Sequence, residues 1–107
     1  GIERLESFIL KNPSITLPIL LIPTNEKYMN YVLNISNKLY FKNIKNQILD
    51  HFNLKKSLKY ANKVNAKIVL IIGDEEFKKT KVSYKNLESG NQLTISEKEL
   101  FEKIKNE

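Results

Sequence analysis

Ala66-Lys67-Ile68-Val69-Leu70-Ile71-Ile72-Gly73-Asp74-Glu75-Glu76 is the stretch that decides the fold. The run from Ile68 to Ile72 is wholly aliphatic and mostly β-branched, with no polar face to turn toward water. It predicts a strand covered on both sides, the usual state of a strand in a parallel sheet. Working back from it, Leu54-Lys55-Lys56-Ser57-Leu58-Lys59-Tyr60-Ala61-Asn62-Lys63 predicts an amphipathic helix. Asn53 is placed to cap it, and Leu54, Leu58, Ala61 and Val64 to face inward. Lys55, Lys56, Lys59 and Lys63 fall on the solvent side, and Asn65 suits the left-handed C-terminal position. Earlier still, Leu17-Pro18-Ile19-Leu20-Leu21-Ile22, closed by Pro23, reads as another buried strand. Pro18 then sits near its beginning, where a missing N–H does least harm.

Between these landmarks a helix is expected from Thr24 or Asn25 to about Phe41. Met29, Val32, Leu33, Ser36, Leu39 and Tyr40 mark its inward face. Residues 44–49 form a weaker second strand, and residues 50–53 a turn. Strand, helix, strand, helix, strand implies an α/β fold with three parallel strands and right-handed crossovers. After Gly73 the period changes. Val82 and Tyr84, then Leu93 and Ile95, alternate with polar residues around a turn at residues 88–91, which predicts an antiparallel hairpin. Ser96-Glu97-Lys98-Glu99 is a capping box opening a last helix, stapled by Ile95 and Leu100 and docked through Leu100, Phe101 and Ile104. A short helix over residues 1–12, with Ile2, Leu5, Phe8 and Ile9 on one side, is ended by Pro13. If the second and third strands lie on opposite sides of the first, the loops at residues 23–25, 50–53 and 73–76 meet at a topological switch point.

The chain has 107 residues, which suits one domain. It contains no cysteine, so disulfide, thiolate-metal and cysteine-nucleophile chemistry are excluded for it. That composition fits a reducing compartment. No apolar run approaches the roughly 20 residues of a membrane span, and no signal peptide is visible. The chain starts at Gly1 rather than methionine, as a fragment of something longer would. The net charge of +6 invites a polyanionic partner. Among the basic residues only Arg4 is arginine, however, and a Lys-, Asn- and Ile-rich composition also follows from an A/T-biased genome.

Little here organises into catalysis. His51 is the single histidine and reads as a solvated or capping turn residue. Asp74, Glu75 and Glu76 read as an acidic solvated loop, without the alternating oxygen ligands of a calcium loop, so no metal site is expected. No glycine-rich phosphate loop follows the first strand, and Pro23-Thr24-Asn25 lacks the acids of a phosphorylation site.

The residues from Leu54 to Lys63, then Ala66-Lys67 and the strand ending in Gly73-Asp74-Glu75-Glu76, resemble the C-terminal domain of histidyl-tRNA synthetases. The resemblance runs from Leu17 to the chain end and keeps the family's order of elements. Gly1-Ile2-Glu3-Arg4-Leu5 separately resembles the end of motif 3 of class II synthetases. By that resemblance residues 1–14 are a remnant of the catalytic domain with its linker, Arg4 is the arginine on the ATP phosphates, and residues 15–107 are the anticodon-binding domain.

The resemblance implies a five-stranded mixed sheet, three parallel strands plus an antiparallel hairpin, with helices on both faces. It implies a cytoplasmic, homodimeric ligase that joins histidine to tRNA(His) with ATP and Mg²⁺. The present domain would read the anticodon stem-loop, without a cofactor and without catalytic residues of its own. Glu76 matches an acidic position that hydrogen-bonds a base in the related threonine enzymes. Lys85 falls where those relatives carry a hairpin arginine, and lysine lacks that planar fork. Phe52 suits stacking on an unpaired base and core packing equally. Asn53 lies in the same turn, and Lys55 and Lys56 suit phosphate contacts. Other outcomes stay open: a threonine, proline or glycine relative, a synthetase-like regulatory protein without catalysis, or a nucleotide- or flavin-binding α/β domain.

Overall fold

The computed structural model describes residues 19–105. The helix expected over residues 1–12, Arg4 and Pro18 lie outside the described residues. In chain order the elements are β1 (Ile19–Pro23), a 3-10 turn (Glu26–Tyr28) leading into α1 (Met29–Phe41), β2 (Asn46–Ile48), α2 (Leu54–Lys63), β3 (Ile68–Ile72), α3 (Asp74–Lys79), β4 (Lys81–Asn86), β5 (Gln92–Ser96) and α4 (Glu97–Lys105). They build a five-stranded sheet in the order β2-β1-β3-β4-β5. β1 is parallel to β2 and β3, while β4 is antiparallel to β3 and β5. The mixed sheet expected above is therefore present, with β2 and β3 on opposite sides of β1.

Alternation along the strands divides the core into two layers. Ile19 and Leu21 of β1, Ile68, Leu70 and Ile72 of β3, and Val82 and Tyr84 of β4 join Val32, Ile35 and Leu39 of α1 and Leu100 of α4. Leu20, Ile22, Val69 and Ile71 turn the other way and meet Ala61 of α2. Both faces of β1 and β3 are thus covered, which is why these strands carry no polar residue. Fully burying an aliphatic side chain of this kind contributes about 1.5–3 kcal/mol. Pro23 is tolerated although it ends β1 in the sheet interior. Ile19 donates to Lys45 O and Thr24 to Ile72 O, so odd-numbered N–H positions point toward β2. By Pro23 that side is free, because Leu21 already pairs with Ile48, the last residue of β2.

Local chemistry sets the element ends. Asn25 Oδ1 accepts from Lys27 N, and Asn53 Oδ1 accepts from Lys56 N at 2.9 Å. Ser96 and Glu99 satisfy each other reciprocally, Ser96 N to Glu99 Oε1 at 3.0 Å and Glu99 N to Ser96 Oγ at 3.2 Å. Asn65 takes the left-handed position at φ 59°.

Three expectations require correction. Leu54, expected to face inward from α2, is exposed. The inward face of α1 is Val32, Ile35 and Leu39, continued back to Tyr28, whereas Leu33 and Tyr40 are exposed. The acidic stretch is not a loop: Asp74, Glu75 and Glu76 form the first turn of α3. Carboxylates there complement the helix dipole.

Candidate nucleic-acid interface

Because β1 is parallel to both β2 and β3, the segments after all three strands emerge at one end of the sheet, with β1 between the other two. With neighbouring strands about 4.8 Å apart, the turn after β2 and the start of α3 are separated by roughly 10 Å. This is the switch-point geometry in which open α/β sheets hold ligands.

Glu76 stands at its β4 side and is held twice. Its Oε1 accepts from Gly73 N at 2.8 Å, and its Oε2 accepts from Ser83 Oγ at 3.0 Å. Gly73 permits this. A Cβ added there would lie 3.1 Å from Glu76 Oε1 and 3.5 Å from Thr24 Oγ1, so a side chain would crowd the carboxylate. Each carboxylate oxygen retains a second lone pair for an incoming donor.

Ser83 is buried on the face of β4 opposite Val82 and Tyr84. Lys85 follows it on that face, two residues along the strand, and is half-buried. Cross-strand register sets Gln92 against Lys85 and Thr94 against Ser83, both exposed. Gln92 Nε2 lies 3.5 Å from Ser83 Oγ. Glu76, Lys85, Gln92 and Thr94 therefore share a polar strip with an acceptor pair at one end and a cation beside it. Ser83, Gln92 and Thr94 were not singled out from sequence, since Gln92 and Thr94 depend on a register that only the folded hairpin fixes and Ser83 on its bond to Glu76 of α3.

The turn after β2 lies at the same end of the sheet, on the far side of β1. Phe52 is half-buried, belongs to neither core layer, and adopts a left-handed backbone at φ 56°. For a bulky residue this conformation costs about 1–2 kcal/mol. Asn53 spends its side-chain oxygen on capping α2, while Lys55 and Lys56 are exposed on its first turn. His51 is exposed.

A cluster of rings braces this end from the α1 side. Phe77 lies 5.3 Å from Tyr28 and 5.7 Å from Tyr31, centre to centre. Tyr28 Oη donates to Asp74 Oδ1 at 3.1 Å, and Lys78 Nζ approaches Asp74 Oδ2 at 3.0 Å. The hydrogen bond from Lys78, then that from Tyr28, hold the Asp74 carboxyl below its ordinary pKa. Tyr31 Oη donates to Lys81 O at 2.9 Å. Burial, followed by the charges of Glu97 and Glu76, pushes its phenol up to about 12, so it stays a donor at neutral pH. The spacing of Tyr28 and Tyr31, one helical turn apart, was the available sequence signal for this brace.

Among the described residues no group of three or more His, Cys, Asp or Glu is arranged to hold a metal ion. No described helix is long and apolar enough to cross a membrane. The arrangement offers hydrogen bonding, stacking and positive charge, without a nucleophile–base pair.

Residues 19–107 match the family described as the anticodon binding domain. The chain belongs to that family. The anticodon-binding domain is 35% identical over 114 residues to a histidine–tRNA ligase of Thermoanaerobacter sp. (strain X514), covering 99% of this chain and 27% of that protein. It is 37% identical over 105 residues to the histidine–tRNA ligase of Clostridium tetani, covering 96% and 24% respectively. The crystal structure of histidyl-tRNA synthetase from Nostoc sp. PCC 7120 superposes with a TM-score of 0.79 at 26% identity, over 99% of this chain and 27% of that one. The RNA binding domain of threonyl-tRNA synthetase from Cryptosporidium parvum shares the fold, with a TM-score of 0.75 at 15% identity over 84% of this chain and 23% of that one. The anticodon-binding domain thus spans about a quarter of the length of the curated relatives it matches.

Proposed function

We propose that this domain reads the anticodon stem-loop of tRNA(His) as the C-terminal part of a cytoplasmic, homodimeric histidyl-tRNA synthetase. The observation that carries the reading is the Glu76–Ser83–Lys85 strip of a chain that belongs to the anticodon-binding family. A carboxylate offering acceptors to the ring N–H and amino group of guanine, with a lysine beside it for phosphate, suits an unpaired loop base. Phe52 offers a ring for stacking from the far side of the same sheet end, and Lys55 and Lys56 suit the backbone of the same loop. Asn53 contributes by fixing the start of α2 rather than by reading a base.

ATP and Mg²⁺ belong to histidine activation in the catalytic domain of the same chain. Of these residues only Arg4 is assigned to the ATP phosphates, which a guanidinium can engage through paired charge-assisted hydrogen bonds. The domain itself needs no cofactor in this reading and performs no covalent step.

The test is kinetic. In the synthetase, Glu76→Gln and Lys85→Ala should raise KM for tRNA in aminoacylation while ATP–pyrophosphate exchange with histidine stays unchanged. Equal loss in both assays would refute these assignments.

A further inference from the structure

The opposite end of the molecule carries a surface that anticodon reading does not use. α1 starts beside the carboxyl end of β1 and runs back along the sheet for 13 residues, about 20 Å at 1.5 Å per residue. Its last two residues, Tyr40 and Phe41, are 72% and 81% exposed, more than any other large hydrophobic side chain among the described residues. Their rings meet edge to face with centres 5.9 Å apart, so each steadies the other while their faces remain open. Neither is needed to anchor the helix, whose inward stripe is Val32, Ile35 and Leu39.

Beside Tyr40 a groove of about 640 Å³ opens between α1 and β2, lined by Asn37, Ile44, Lys45 and Gln47 among others. That volume falls in the range of roughly 300–1,000 Å³ typical of small-molecule clefts. Phe41 borders an adjoining depression that shares Tyr40, Ile44 and Lys45. No acidic residue lines either. Glu97, which α4 brings toward this helix, is bound to Lys38 at 2.7 Å. Asn37, Lys45 and Gln47 are exposed and their side chains have no partner among the described residues. Asn46 differs, being tied to the Ser36 and Ile44 carbonyls.

Open rings, unspent amides and an unpaired cation together match the requirements of a single nucleic-acid strand: stacking planes, base-edge hydrogen bonds and phosphate neutralisation. A protein partner fits less well, because protein interfaces enrich aromatics but deplete lysine. We infer that Tyr40, Phe41 and Lys45 form a second RNA contact, for one or two unpaired nucleotides, at the end of the sheet away from Glu76. It is independent of the anticodon reading.

The 107-residue chain has no tryptophan, so Tyr40→Trp introduces a single reporter ring. An eight-nucleotide uridine oligomer should quench it saturably. The quench should persist when Glu76→Gln and Lys85→Ala are added, even though those changes weaken stem-loop binding about tenfold or more if the anticodon reading holds. Tyr40→Ala with Phe41→Ala should weaken the oligomer, followed by anisotropy, by about tenfold or more. Lys45→Ala should lower the slope of log affinity against log salt by about 0.7. Both rings are exposed, so thermal melts of these variants should match the parent. A Tyr40→Trp chain with no quench at saturating oligomer would overturn the inference. So would a dimer, seen by sedimentation, that Tyr40→Ala with Phe41→Ala dissolves while oligomer affinity stays the same.

Discussion

Replacing Glu76 by alanine removes two hydrogen bonds at once, and the structure sets their weight. The first, from Gly73 N to Oε1 at 2.8 Å, is the side-chain cap of α3, and a glycine at the cap position cannot supply another. Loss of a helix cap costs about 1 kcal/mol. The second leaves the Ser83 hydroxyl, 3% exposed, without the carboxylate 3.0 Å away. Gln92 Nε2, 3.5 Å from the hydroxyl, is a donor and cannot take its proton, and a buried donor left without an acceptor costs about 1–3 kcal/mol. Together the change should destabilise the domain by about 2–4 kcal/mol, a large part of the roughly 5–15 kcal/mol typical of a whole domain. With a urea slope of about 1.5 kcal/mol per molar, the midpoint should fall by roughly 2 M.

Glu76→Gln keeps a carbonyl acceptor and the volume of the side chain, so about 1 kcal/mol should be lost. In the double-mutant cycle, Ser83→Ala should recover at least about 0.5 kcal/mol of the Glu76→Ala penalty, since it deletes the stranded hydroxyl. An unchanged Glu76→Ala midpoint, or strictly additive penalties, would refute the reasoning. The cycle also decides which variant can report on RNA. Alanine at 76 mixes lost recognition with lost folding. Glutamine isolates recognition, because it offers one acceptor and one donor where guanine presents two donors. Stem-loop affinity of Glu76→Gln, measured at low temperature where every variant is folded, should fall about tenfold or more.

Ser57 is fully buried in α2 and its hydroxyl has no partner among the described residues, so Ser57→Ala should raise stability by about 1 kcal/mol in urea unfolding. The Tyr31 phenol titrates at about 12 when folded and near 10 when unfolded, so the folded state holds its proton more tightly. Its contribution is complete below about 10 and lost as the pH rises toward about 12, and Tyr31→Phe should flatten that alkaline limb in pH-dependent melts. Glu99 is depressed by the Ser96 N–H and then by the Ser96 hydroxyl, so its contribution is present above the unfolded value of about 4.3 and lost as pH falls through the lower folded value. Glu99→Gln should therefore lessen the acid sensitivity of the melting temperature.

What was legible in the sequence was whatever a local pattern or a chirality rule determines. β3 announced itself as five aliphatic residues, and the Ser96–Glu99 box and the Asn53 cap follow from short-range hydrogen bonding. Parallel β1, β2 and β3 followed from the alternation of strand and helix, but their order did not. Right-handed crossovers put β2 and β3 on either side of β1 only once α1 and α2 cover opposite faces, as they do here. The face of α1 did not, because two apolar stripes one residue apart compete in its sequence. Tyr28, Val32, Ile35 and Leu39 won over Met29, Leu33, Ser36 and Tyr40 when packed against the sheet and Phe77. α3, six residues long with one large apolar side chain, is too short to show a helical period. The site was legible only in part for the same reason. Glu76 and Lys85 came from family resemblance, whereas Gln92 joins Lys85 through cross-strand register and Ser83 joins Glu76 through a hydrogen bond between elements.

That register has an identifiable origin in backbone strain. Among the described residues, Asn43, Phe52, Asn65 and Thr80 adopt left-handed backbone without being glycine. Asparagine does this readily, but Thr80, at φ 55°, is β-branched and pays a conformational cost of about 1–2 kcal/mol. Its position explains why the cost is tolerated. Thr80 stops α3 directly after Lys79, its N–H returning to the Glu76 and Phe77 carbonyls, and β4 starts at once with Lys81. Successive strand residues face opposite ways, so moving that start by one residue would turn Ser83 toward the α1 layer and Val82 toward the polar strip. Glu76 would then lose its second anchor, and Lys85 would leave the face it shares with Gln92. A strained threonine between a six-residue helix and an interior strand therefore keeps the Glu76 carboxylate and Lys85 on one surface.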